Sequence, residues 1–189
     1  NLYLMEMNKS ISYSDNFRLG QELKQNEAVV ISNISFKYFN SSDYIFEDFN
    51  LIIPKGKHII VTGVNGSGKS TLLGLIAGVF YSDKGLIQVA STRLGYVGAS
   101  PMILNSTLRE NLLYGVQEDI NDAELNRMTS LFKLFNENEL QLDKRISNKS
   151  LSMGQMQKIA FIRSLLSKVE VLILDESTSN LDEESKQLI

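Results

Sequence analysis

Gly63-Val64-Asn65-Gly66-Ser67-Gly68-Lys69-Ser70-Thr71 is the stretch that decides how this chain is read. It fits the pattern G-x-x-x-x-G-K-[ST], whose glycines let the backbone wrap so that N–H groups face phosphate oxygens. On its N-terminal side His58-Ile59-Ile60-Val61-Thr62 is a short apolar run, which predicts a strand buried on both faces. On its C-terminal side Ser70 to Val79 predicts an apolar helix. A loop between strand and helix is the context that this pattern requires. The helix start directs its positive dipole end at bound phosphate. The Lys69 ammonium can reach the β- and γ-phosphates, and the Ser70 hydroxyl can ligate Mg²⁺.

Two further motifs lie downstream. Val171-Leu172-Ile173-Leu174-Asp175-Glu176 is an apolar strand ending in two carboxylates. Alone, it reads as a strand running out into acidic, solvent-facing residues. Beside a phosphate loop, Asp175 becomes a candidate for the Mg²⁺ shell and Glu176 for the base that orients or deprotonates a water. Leu151-Ser152-Met153-Gly154-Gln155 precedes a helix over Gln155 to Ser167 and, alone, reads as a helix N-terminus capped by Ser152.

The remaining pattern alternates strands and helices. Val29 to Tyr38, Tyr44 to Ile53, Gly85 to Ala90, Leu94 to Val97 and Val169 to Leu174 read as strands. Thr107 to Tyr114 and Asp122 to Phe135 read as helices, the second with Asn121 and Glu124 as its cap pair, and a further helix is expected from near Asp182. Asn136 to Lys149 is polar and weakly patterned, and Asn1 to Glu27 reads as a linker or arm with one helical turn near Phe17 to Leu23. The whole predicts an α/β domain over 28–189 with a helical insert at about 104–148. The opening at Asn1 and the stop at Ile189 create the expectation that this is a piece of a longer polypeptide.

Composition removes several classes of function. The 189 residues hold 19 basic and 22 acidic side chains, a net charge of −3 that argues against a broad nucleic-acid footprint. With no cysteine, thiol catalysis and cysteine-ligated zinc are excluded. The single histidine, His58, makes no multi-histidine metal site and is expected to be a partly exposed strand residue without a catalytic role. No apolar run approaches the ~20 residues that span a bilayer, so this stretch is expected to be soluble.

In this order, GVNGSGKST, LSMGQ and LILDE strongly resemble the nucleotide-binding domain of ATP-binding-cassette (ABC) transporters. Ser179-Asn180-Leu181-Asp182 resembles the family's D-loop, and Ser106 to Gly115 (STLRENLLYG) resembles a stretch of its exporter-type members. Tyr38 stands 63 − 38 = 25 residues before the phosphate loop, where the family's adenine-stacking aromatic lies. The resemblance covers about Val29 to Ile189 and implies a P-loop core with a mainly parallel sheet, an antiparallel β subdomain and a helical insert subdomain.

It further implies ATP and Mg²⁺ as ligands. Tyr38, Gly63, Asn65, Gly66, Ser67, Gly68, Lys69, Ser70 and Thr71 would hold the nucleotide on one domain. Ser152, Gly154 and Gln155 would complete the site of a second such domain in a head-to-tail dimer. Ser70 and Asp175 would hold the metal, with Lys69 and Glu176 in catalysis. Arm 1–27 would follow a membrane domain in the same or an associated chain, and the whole would work at the cytoplasmic face of a membrane with no nucleic-acid partner.

Two departures bear on turnover. In Tyr96-Val97-Gly98-Ala99-Ser100-Pro101, Ala99 occupies the place of the family's glutamine that touches Mg²⁺ and the attacking water. The family's switch histidine is expected beyond Ile189, so the stretch in hand is expected to bind ATP better than it hydrolyses it. Met153 replaces the signature's second glycine, a variable position. The competing readings are a catalytically weakened regulatory domain, favoured by Ala99 and opposed by Lys69 and Glu176, and a non-transport ABC ATPase.

Overall fold

The computed structural model describes residues 14–24, 26–135, 141–177 and 181–187. The chain divides at Thr92 and Arg93 into two compact units.

The first unit is built on a four-stranded sheet. After a short 3-10 turn at Ser14–Asn16 come β1 (Phe17–Leu19), β2 (Glu27–Phe36), β3 (Phe46–Pro54), helix α1 (Lys69–Ile76) and β4 (Lys84–Val89). The strand order is β1-β4-β2-β3. β2 is antiparallel to both β3 and β4, pairing Val30 with Ile52 and Ile31 with Ile87, while β1 is parallel to β4. Alternation along β2 sends Val29 and Ile31 to the interior, and an irregularity between Ile31 and Ile34 brings Ile34 to it as well. Leu72, Leu75 and Ile76 of α1 are buried in the same unit.

Two sequence expectations fail here. The helical turn near Phe17 is a strand, because β4 supplies ladder partners that outweigh a weak local helical pattern. The segment 57–63 has no regular structure, His58 is exposed, and Ile59 and Ile60 stand 51% and 85% exposed. An apolar run acquires strand geometry only through ladder hydrogen bonds, and HIIVT belongs to none of this sheet's pairings.

The second unit holds β5 (Leu94–Val97), β6 (Ser106–Thr107), α2 (Leu108–Leu113), α3 (Asp122–Leu131), β7 (Arg145–Ile146), α4 (Met153–Leu166), β8 (Val171–Leu174) and α5 (Glu183–Lys186). β5 and β8 are parallel in the register Leu94↔Val171 to Val97↔Leu174, and β6 pairs with β7 antiparallel. A core of Leu108, Leu112, Leu125, Phe132, Ile159 and Phe161 gathers α2, α3 and α4. The expected cap at Asn121 forms on one side only: Asn121 Oδ1 accepts from the Glu124 N–H at 3.0 Å, while the Glu124 carboxylate accepts from Arg127 instead of reaching back. The reciprocal capping box forms at α2, between Thr107 and Glu110, where the sequence reading placed no cap. Helix α3 stops at Leu131 rather than Phe135, and the fully buried Phe132 serves as its C-cap. Among the described residues no helix is long and apolar enough to cross a membrane.

Gly85 fixes the β2–β4 register at an irregularity between Ser32 and Ser35. It has φ +82°, and a Cβ there would lie 2.4 Å from the Asn33 carbonyl oxygen. Neither backbone can yield cheaply, so Gly85→Ala is expected to cost about 2–4 kcal/mol. Urea unfolding should show a lower midpoint with an unchanged slope.

Candidate functional site

In the first unit the phosphate loop ends at Gly68, which stands at φ 91° and ψ 11° as the N-cap of α1. That left-handed conformation suits glycine, and a Cβ would also come 2.7 Å from Ile45 Cγ2. Gly66 is left-handed as well, at φ 80°, and the loop from Gly63 to Ser67 is exposed. The Ser67 N–H closes a turn onto the Val64 carbonyl at 3.2 Å. Lys69 folds back over the loop, donating from Nζ to the carbonyl oxygens of Gly63 at 3.0 Å and Val64 at 2.9 Å. An ammonium across the mouth of the loop, with the start of α1 beside it, gathers positive charge of the kind that suits an anion.

Tyr38, 43% exposed, lies beside that helix. Its hydroxyl shares a 2.8 Å hydrogen bond with Thr71 Oγ1, and Thr71 itself is buried. Phe36 and Phe80 meet the Tyr38 ring edge-to-face at centroid distances of 5.2 and 5.7 Å. Phe80 fits because Gly74 has no side chain, since a Cβ there would lie 2.7 Å from the Phe80 ring. The ring of Tyr38 is thus held by its hydroxyl and by two edge contacts. Sequence reasoning picked Tyr38 and Thr71 but not the bond between them, nor Gly74 and Phe80.

In the second unit the signature opens α4. Ser152 and Gln155 form a reciprocal capping box, with Gln155 N–H on Ser152 Oγ at 3.2 Å and Ser152 N–H on Gln155 Oε1 at 2.9 Å. Gln155 Nε2 also donates to the Leu134 carbonyl at 3.3 Å, so its amide serves the helix start. Ser152 and Met153 are exposed beside the half-buried Gly154. Ser152 Oγ, as acceptor of one bond, keeps its own proton to donate.

The carboxylate pair follows β8. The Asp175 N–H continues the ladder to the Val97 carbonyl at 2.9 Å, and Tyr96 Oη donates to Asp175 Oδ2 at 3.0 Å. Burial, and then that bond to Asp175, push the Tyr96 phenol up to about 12, so it stays a donor across the physiological range. Glu176 has φ 51°, a left-handed conformation unusual for a glutamate and of the kind that gathers at functional sites. Ala99 and Ser100 lie in a bend just past β5. Among the described residues no three acidic or histidine side chains gather to cage a metal. The Ser70 hydroxyl of the first unit and the Asp175 carboxylate of the second are each hard oxygen donors, a kind of ligand that suits Mg²⁺.

Of the D-loop resemblance, Ser179 and Asn180 lie outside the described residues. Asp182 caps α5, accepting from the Ser185 N–H at 2.8 Å. Its other oxygen meets Lys158 Nζ at 2.6 Å, and Lys158, 8% exposed, also donates to the Lys133 carbonyl at 3.3 Å. The signature helix and the D-loop aspartate are therefore tied by one ion pair. Sequence reading missed it, because a lysine three residues past Gln155 reads as an ordinary helical cation.

The family model described as ABC transporter matches residues 46–179. The chain is 33% identical over 191 residues to the ATP-dependent permease MDL1 of Candida albicans, covering 90% of this chain and 28% of that protein. It is 30% identical to the transport/processing ATP-binding protein ComA of Streptococcus pneumoniae, covering 82% of this chain and 24% of that protein. A solved bacterial Atm1-family ABC exporter with ATP bound superposes with a TM-score of 0.75 at 22% identity, covering 89% of this chain and 32% of that one, a likeness of fold. The chain belongs to the ABC transporter family and corresponds to its ATP-binding domain, homologous to those of named exporters. It spans about a quarter of the length of the first two of these relatives.

The Lys158–Asp182 pair sets a pH dependence. Lys158, and after it the Ser185 N–H, hold the Asp182 carboxyl well below the usual carboxylate range. A depressed carboxylate contributes stability above its unfolded value and loses it as pH falls toward the folded one. Lys158→Met is expected to cost about 1–2 kcal/mol at pH 7, discounted because Asp182 is half exposed. In thermal melts the gap in Tm between this variant and the parent should hold from pH 8 to 5 and narrow below about pH 4.

Proposed function

We propose that this chain is the ATP-binding and ATP-hydrolysing domain of an ABC exporter, working at the cytoplasmic face of a membrane. The observation that carries the reading is the cradle of Gly63 to Thr71, with left-handed Gly66 and Gly68 and with Lys69 drawn across the loop at the start of α1. We read 28–189 as the nucleotide-binding domain, with the insert at about 104–148, and 1–27 as the arm that leads from a membrane domain. The architecture we assign to it is a P-loop core with a mainly parallel sheet, an antiparallel β subdomain and a helical insert subdomain.

Within it, Tyr38 presents its ring to adenine while Thr71 Oγ1 holds the hydroxyl. Gly63, Asn65, Gly66, Ser67, Gly68 and the N–H groups of Ser70 and Thr71 line the phosphates, and Lys69 exchanges its two loop carbonyls for phosphate oxygens. Ser70 and Asp175 hold Mg²⁺, which when bound neutralises phosphate charge. Glu176 takes the proton of the attacking water as the bond to the leaving oxygen breaks.

Ser152, Gly154 and Gln155 serve a second copy or a homologous domain, where the Ser152 proton and the N–H groups opening α4 meet the γ-phosphate. ATP then joins two domains head to tail, and hydrolysis parts them. Membrane helices coupled to this cycle exchange inward- and outward-facing states.

Ala99 favours one variant of this reading, a domain that closes on ATP and turns it over slowly. Alanine orients no water, and loss of one such group costs about 10²–10³ in rate by analogy with a single oxyanion donor. Single-turnover assays should show faster hydrolysis in Ala99→Gln.

Titration calorimetry tests the core of the proposal. Lys69→Ala should abolish MgATP binding, while Tyr38→Ala should weaken it by about 1–3 kcal/mol, the worth of one stacked base. Equal affinity in all three proteins would sink the assignment. Light scattering tests the partnership: Glu176→Gln should accumulate an ATP-dependent dimer, and Ser152→Arg should bind ATP yet remain single. A heterodimeric partner would leave both variants single until that partner is added.

A further inference from the structure

The hydroxyl of Tyr96 has no place in the chemistry described so far, yet it is aimed at the one carboxylate proposed to hold the metal. Tyr96 lies on β5 opposite Ile173 of β8, so Asp175, two residues past Ile173, falls on the same side of the ladder. Backbone and side chain are both fixed there. The Asp175 N–H bonds to the Val97 carbonyl at 2.9 Å, and Asp175 Oδ2 accepts from Tyr96 Oη at 3.0 Å.

The site also makes room for this ring. A Cβ on Gly98 would stand 3.1 Å from Tyr96 Cε1 and 3.4 Å from its hydroxyl, closer than a side chain there sits comfortably. The phi of Gly98 is not in the left-handed region, so what the position requires is space rather than backbone freedom. The next residue is Ala99, which supplies no donor.

We propose that Tyr96 is a positioning residue for Mg²⁺: its phenol fixes the Asp175 carboxylate by holding Oδ2, and Gly98 keeps the ring in place to do so. The inference rests on Asp175 being a metal ligand. A ligating carboxylate that loses an outer partner is less firmly oriented, and losing such a partner commonly lowers metal affinity by about 10- to 100-fold. The tyrosine thus gives the metal a pre-oriented ligand where the neighbouring position, an alanine, gives none.

The readout is the ratio of ATP affinity in excess Mg²⁺ to that in EDTA, measured by calorimetry on the full chain. Tyr96→Phe keeps the ring and removes only the hydroxyl. It should lower the ratio about tenfold while leaving ATP affinity in EDTA, and the Tm to within a few degrees, unchanged. Gly98→Ala should lower the ratio in the same direction by crowding the ring. Asp175→Asn should lower it at least as far, and adding Tyr96→Phe to Asp175→Asn should change nothing more, because the two act through one carboxylate.

A Tyr96→Phe ratio within twofold of the parent, with Asp175→Asn impaired, overturns the role of Tyr96 and leaves the ATPase reading standing. Additive losses in the double variant place the action of Tyr96 elsewhere and also overturn it. An unimpaired Asp175→Asn overturns the metal assignment of Asp175 and this inference together, while Lys69→Ala still tests nucleotide binding separately.

Discussion

A loop that is to present its backbone N–H groups to an anion, as proposed for Gly63 to Thr71, requires that nothing intrude between chain and ligand, and here that requirement falls on Gly68. Its left-handed conformation turns the loop into α1, and a Cβ there would collide with Ile45 Cγ2 at 2.7 Å. Ile45 and Phe46, at the start of β3, thereby pack against the end of the loop, a Cβ on Gly68 also coming 3.2 Å from Phe46 Cζ. The same helix carries Thr71, whose hydroxyl pins Tyr38. Loop, helix and aromatic platform form one mechanical piece. The edge contacts of Phe36 and Phe80 extend that piece into the core of the unit.

The second unit solves a different problem, the fixing of short motifs that have little structure of their own. Four residues of β8 cannot hold the Asp175–Glu176 carboxylate pair unaided. The β5 ladder and the Tyr96 phenol fix Asp175, and the next residue, Glu176, takes a left-handed turn out of the strand. Ser152 gains its place from a capping box with Gln155, which makes the signature a helix terminus before it is anything else. Lys158 then joins that helix to the Asp182 cap of α5. Because this cation is nearly buried while its partner is half exposed, the pair joins elements more than it adds stability.

The motifs were legible in the chain because each needs a residue type that no other can replace at that spacing. Glycines spaced to wrap a loop, with a lysine and a hydroxyl at a helix start, declare themselves without any tertiary knowledge, whereas paired carboxylates at a strand end gain meaning only beside that loop. Caps were equally legible, since Asn121 with Glu124 and Ser152 with Gln155 act within a single turn. Apolar runs were less so. VLIL is a strand in the structure and HIIVT is not, although the two read alike, because ladder partners decide strand geometry and lie far away in sequence.

By itself, then, the sequence determined the α/β class, the glycine-rich loop pattern, the order of the three motifs and most helix starts, all properties set by interactions within a few residues. Only the tertiary structure decided that Phe17–Leu19 joins a sheet as β1, that Thr71 holds Tyr38, that Gly74 admits Phe80, and that Tyr96 and Lys158 reach Asp175 and Asp182. These contacts span from 6 residues, between Gly74 and Phe80, to 79, between Tyr96 and Asp175. No local propensity encodes such pairings, because hydrogen bonds and packing between distant segments exist only once the chain has closed on itself.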